Sequence, residues 1–156
     1  MTIMKLSLRG EYALRALVAL GENYESDVVR IQNISEERGI PKRFLEQILN
    51  SLKSGGFVES RRGVAGGYRL ARPPEDITLG ALIRYVERSL IPLPLASGKL
   101  HRKDNRPDEV QAAIRSVMQE VREAILTVLE RMTVADLCER ARRLRGEPTG
   151  ATDYII

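Results

Sequence analysis

The chain has 156 residues, 43% of them hydrophobic, and a single cysteine, Cys138, which excludes an internal disulfide and a metal site built from thiolates alone. No apolar run approaches the ~18 residues that span a bilayer, and the opening MTIMKLSLRGEYAL lacks the apolar core and small-residue cleavage site of a secretory signal, so a cytoplasmic protein of one domain, with or without an appendage, is expected. The net charge of +4 is uneven: between Arg38 and Arg72 eight basic residues face only Glu46 and Glu59, leaving the rest slightly acidic, a concentration that a nucleic-acid footprint requires and a solvated face also produces.

Ser7 can cap a first helix whose apolar positions Leu8, Tyr12, Ala16, Leu17 and Leu20 recur at helical spacing, and Gly21 is expected to end it. Glu22 to Asp27 reads as a polar loop. A short helix from Ile31 to Arg38 turns Ile31 and Ile34 inward and stops at Gly39. Pro41 opens a third helix, where its missing N–H costs nothing, and that helix runs to about Ser54 before Gly55-Gly56. Its stripe of Phe44, Leu45, Ile48, Leu49 and Leu52 is expected to be core. Lys42, Arg43, Glu46, Gln47, Asn50 and Lys53 project away from that stripe and can pair with base edges and phosphates.

Phe57 and Val58 begin one strand, and Tyr68 and Leu70 belong to a second, with Gly63 to Gly67 as the turn between them. Arg72-Pro73-Pro74 breaks the sheet. Thr78 caps a fourth helix from Leu79 to about Ser89, with Leu82, Ile83 and Val86 apolar. Ile91 to Pro107 has three prolines and no helical period, so it reads as a loop. A long helix then runs from Pro107 to about Arg131. Its stripe of Val110, Ile114, Val117, Val121, Ile125, Val128 and Met132 resembles a short heptad seam. Thr133 caps a last helix, Val134 to Leu144, and Gly146 to Ile156 reads as a tail with an apolar end.

Three helices followed by a strand, a turn and a strand make a mainly α winged helix-turn-helix with a long C-terminal dimerisation helix. The expected organisation is a DNA-binding unit over 1–90, a loop over 91–107, the dimerisation helix and short last helix over 108–145, and a tail over 146–156. The third helix would enter the major groove, and the glycine-tipped hairpin would reach the adjacent backbone or minor groove. There Arg61 and Arg62 would neutralise phosphates, or one would enter a narrow minor groove.

The runs MKLSLRGEYALRAL and FLEQILNSLKSGGFVESRRGVAGGYRLARPPEDITLG, with the long helix after them, resemble the Rrf-two family of bacterial winged-helix transcription regulators. The similarity covers Met4 to Val86 by sequence and the remainder by architecture. The resemblance implies a homodimer, joined by the long helix through Val110, Ile114, Val117, Val121, Ile125 and Val128, that reads an imperfect palindrome in double-stranded DNA, most commonly as a repressor. The positions matching the family's DNA-reading residues are Arg43, Glu46, Gln47 and Arg62. Arg9, Lys42, Asn50, Arg61 and Tyr68 join them as candidate contacts, and Arg15 is a further candidate for phosphate. Pro41 stands where the recognition helix usually begins with a small hydroxyl residue, and Arg43 occupies a position that can be small. Arginine grips guanine O6 and N7, so this departure favours a G·C pair.

Sensing members of that family hold an iron–sulfur cluster on three cysteines in the loop before the dimer helix. Here that loop has none, so no cofactor and no metal site is expected, with control passing to a small ligand or a regulatory protein. His101 reads as a solvated loop residue and Cys138 as a small buried hydrophobe. An enzyme is not expected. The Gly63 to Gly67 loop lacks the Gly-Lys-Ser/Thr ending of a phosphate-binding loop, and no Asp, His, Cys and Glu cluster offers an acid–base or nucleophile pair. The alternative, a winged helix used for protein–protein interaction, is opposed by the basic window.

Overall fold

The computed structural model describes residues 6–87 and 108–147. The elements are α1 (Leu8–Glu22), α2 (Ile31–Arg38), α3 (Lys42–Ser54), β1 (Val58–Arg61), β2 (Gly67–Leu70), a 3-10 turn (Pro74–Asp76), α4 (Leu79–Val86), α5 (Glu109–Arg131) and α6 (Val134–Leu144). Oxygen-bearing side chains start four of the helices, as helix ends with unmet N–H groups require. Ser7 Oγ accepts from the Gly10 N–H at 3.0 Å, Thr78 Oγ1 from the Ala81 N–H at 3.1 Å, and Asp108 from the Gln111 N–H at 3.0 Å. Thr133 and Asp136 form a reciprocal capping box at α6.

α1 is the centre of the core. Its Ala13, Ala16, Leu17, Ala19 and Leu20 are shut from solvent, packed with Ile34 of α2, Leu45, Leu49 and Leu52 of α3, and Val134 and Cys138 of α6. The sequence reading grouped α6 with the long helix; here α6 packs on α1 and completes the winged-helix core. Gly21 does not end α1, which continues one residue further. It serves instead as a point of close approach: a β-carbon there would meet Cys138 Sγ and Val134. Gly39 does end α2, at φ 63°.

β1 and β2 pair antiparallel in the register Val58↔Leu70 to Arg61↔Gly67. Val29 adds a one-residue bridge on the far side of β2, with its N–H donating to the Tyr68 carbonyl at 2.7 Å and its own carbonyl accepting at 2.8 Å. Two expectations change. α4 stops at Val86, short of Ser89, because Glu87 turns extended and its Oε1 accepts from the Ser7 N–H and Oγ at 3.0 and 2.9 Å. Phe44 is not core: it is 54% exposed, on a flank of α3 where it lines a groove with the first turns of α1. Ser89, the loop of 91–107 and residues 148–156 of the tail lie outside the described residues.

Glu22, at the last turn of α1, ties three helices together. It accepts from Arg38 of α2 and, at 2.6 Å, from Arg145 just beyond α6. Burial raises the Glu22 pKa, but the hydrogen bonds and charges of Arg145 and Arg38 outweigh that and hold the carboxyl below its usual 4.5. A lowered carboxylate pKa contributes stability that is present above the unfolded value and is lost as pH falls through the folded one. Glu22→Gln should therefore destabilise the fold at neutral pH by about 1–3 kcal/mol. In urea titrations the gap between the two proteins should close as the pH is lowered past 4.5.

Candidate nucleic-acid interface

The helical period of α3 puts Leu45, Ile48, Leu49 and Leu52 inside, which leaves Arg43, Glu46, Gln47 and Asn50 exposed on its outer side. Two struts hold this face. Lys53 Nζ donates to Ser60 Oγ of β1 at 2.6 Å, and on the opposite flank Arg9 Nη2 donates to Ser51 Oγ at 3.1 Å. Behind it, Tyr85 Oη donates to the Ser51 carbonyl at 2.7 Å, and its ring lies so close to Gly55 that a β-carbon there would collide with it.

Between α3, the hairpin and the start of α2 lies a groove of about 520 Å³. Four cations line it, Arg30, Lys53, Arg61 and Arg62, with Asn50 and Tyr68 and no carboxylate. Such a concavity favours a polyanion, because fields from like charges add there. The hairpin's glycines have distinct tasks. Gly63 adopts φ 108°, a conformation that side chains other than hydrogen rarely take. Gly66 and Gly67 let backbone pass against backbone, since a β-carbon would strike the Arg61 and Val29 carbonyls respectively.

Of the residues singled out from sequence, Asn50, Arg61, Arg62 and Tyr68 line this groove, and Arg9 and Gln47 line a second one on the other flank of α3. No hydrogen bond or ion pair among the described residues engages the side chains of Lys42, Arg43 or Arg62. Arg61 instead forks onto Asp27 at 2.8 and 2.9 Å, a half-exposed pair of the kind worth about 0–1 kcal/mol and open to exchange with a phosphate. Arg9 is held by Ser51, and Arg15 by Glu11 and the Arg38 carbonyl. Tyr68 lines the groove, away from the hairpin tip.

Sequence reasoning missed Arg30. It precedes α2, and its Nη2 donates to the Val64 carbonyl at the hairpin tip, 2.9 Å away. No local pattern marks a contact across 34 positions.

α5 has no buried residue. Val110, Ile114, Val117, Val121 and Val128 of its stripe are open to solvent, from 42% at Val121 to 70% at Val110, whereas Ile125 is half-buried and Met132 packs against the core. The C-terminal end of α5 is fastened to the body. Arg84 pairs with Glu130, Glu130 overlies Gly80, the Leu79 N–H donates to the Met132 carbonyl at 2.8 Å, and the Val134 N–H donates to the Ile77 carbonyl at 2.9 Å.

A family model named Rrf2, described as an iron-dependent transcriptional regulator, matches residues 6–140. An rrf2-like HTH-type transcriptional regulator of Rhodobacter capsulatus is 36% identical over 131 residues, covering 81% of this chain and 87% of that protein. Among solved structures, IscR of T. potens superposes with a TM-score of 0.73 at 30% identity, over 96% of both chains. CymR, the global cysteine regulator of B. subtilis, superposes at 0.70 and 28% identity, over 88% of this chain and 98% of that one.

The iron in that description does not fit the donors present. The chain has one cysteine, and Cys138 lies in the α1–α6 contact with its Sγ 3.7 Å from the Val18 carbonyl. Burial, seconded by the nearby Glu22 charge, pushes its thiol up to about 11. Among the described residues no group of His, Cys, Asp and Glu is placed to hold a metal ion, and His101 lies outside them. Cys138 should accordingly resist a thiol reagent at neutral pH in the native protein and react promptly once urea unfolds it; equal rates in both states would place the thiol elsewhere.

Proposed function

The chain belongs to the Rrf2 family of DNA-binding transcriptional regulators, and we propose that it acts as a cytoplasmic homodimeric repressor of a palindromic operator, without an iron–sulfur cluster. The observation that carries this reading is the groove beside α3, lined by Arg30, Lys53, Arg61 and Arg62 and by no carboxylate, on a helix whose Lys42 and Arg43 make no side-chain hydrogen bond or ion pair among the described residues. In the mechanism, α3 enters the major groove. Arg43 presents a guanidinium suited to guanine O6 and N7, Gln47 an amide suited to adenine, and Glu46 an acceptor for cytosine N4. The wing, led by Arg62, lies along the neighbouring backbone, where neutralised phosphates release counterions and make affinity fall with salt.

The exposed stripe of α5 supports a seam between two copies: Val110, Ile114, Val117, Val121, Ile125 and Val128 would be removed from water together. Because the C-terminal end of α5 is fixed to the body, the seam would set the separation of two recognition helices, and so which half-site spacing fits. A small ligand or a regulatory protein that alters the crossing of the two α5 helices would change that fit. Repression by occupying the operator needs nothing from the chain beyond these two surfaces.

Selection of duplexes from a random library, followed by a salt titration of the best binder, tests the reading. A recovered two-fold sequence and a steep salt slope are expected; a flat slope would favour a protein-association module. Arg62→Ala should weaken binding by about 1–3 kcal/mol in a mobility assay, and unchanged affinity would remove the wing from the interface. Val117→Asp combined with Val121→Asp should sediment as a monomer, because it sets unpaired charges in the seam.

A further inference from the structure

The exposed position of Phe44 leads beyond the polar contacts. A single apolar residue in water is ordinary, but here several adjoin. Phe44 is 54% exposed and Leu8 57% exposed. Together with Tyr12 and Ile48, and with Arg9 and Gln47, they line a groove of about 390 Å³ along the flank of α3. Phe44 sits in the first turn of α3, three residues before Gln47, and the two side chains line the same groove. The lining contains one cation and no carboxylate, so an anionic polymer meets no repulsion there. The major groove offers one apolar feature to such a ring, the C5-methyl of thymine.

We propose that Phe44 is a specificity-determining residue that reads thymine by its C5-methyl group, seating the methyl against its ring at the mouth of the groove it shares with Leu8 and Tyr12. The inference rests on the DNA-binding reading above. It also accounts for a large aromatic kept in water on a helix whose buried row is already filled by Leu45, Ile48, Leu49 and Leu52.

The test begins with a duplex selected by the full-length protein and replaces each thymine in turn with uracil, which removes only the methyl. The expected result is one thymine per half-site whose replacement weakens the wild-type protein about fourfold, the worth of one buried methyl group. Phe44→Ala should bind both duplexes alike, and Phe44→Leu should keep part of the discrimination. Thermal melting of both variants should match the wild type, since the ring is not core; the leucine variant carries the test if the alanine variant melts early. A selected duplex on which no uracil replacement matters, or a Phe44→Ala protein that still discriminates, overturns the assignment while leaving DNA binding intact. Failure to select any sequence over random duplex overturns both.

Discussion

Everything the protein presents to its surroundings is hung on the apolar face of α1. Leu17 and Leu20, each worth about 1.5–3 kcal/mol when fully buried, alternate with Ala13, Ala16 and Ala19, which are equally inaccessible. The leucines supply the burial; the alanines and Gly21 supply the room for α2, α3 and α6 to approach one rod from different sides. The orientation of α3, and with it the side chains on its exposed face, follows from that packing. So does the burial of Cys138, which lies in the α1–α6 contact and serves there as a small apolar filler.

Charge is distributed by a similar division of labour. Carboxylates away from the groove are consumed in joining elements: Glu22 with Arg38 and Arg145, Glu130 with Arg84, Glu87 with the start of α1. Around the groove four cations gather with one carboxylate nearby, Asp27 on Arg61, and among the described residues the Arg62 side chain has no hydrogen bond or ion pair. The uneven charge seen along the chain thus corresponds to a spatial clustering of cations at the groove, some of which also join the elements around it.

Much of this was legible in the residues themselves, and the failures are instructive. α2 and α3 were correctly bounded, and the caps at Ser7, Thr78 and Thr133 were correctly placed, because capping and periodicity are local physics. The hairpin was legible because a glycine-rich turn between alternating residues has few other solutions. Phe44 was misplaced because spacing gives a helix an apolar side but cannot say how wide a strip its neighbours will cover. Gly21 was misread because a helix stop and a helix–helix contact both select glycine. Arg30 and the α1–α6 contact are tertiary facts, set by residues 34 and more positions apart, and no window of sequence contains them. Glu87 ended α4 early for the same reason, through a bond to a residue 80 positions away.

The bond from Arg30 to the Val64 carbonyl has a consequence for timing. A hairpin tip of five residues, 62–66, would ordinarily surrender its backbone freedom on meeting DNA, at about 1–2 kcal/mol per residue. With its apex already moored to the start of α2, much of that disorder has been given up during folding. Under the proposed wing contact the finger would arrive shaped, with less of the energy of its contacts diverted into ordering it and more left to prolong residence on the site.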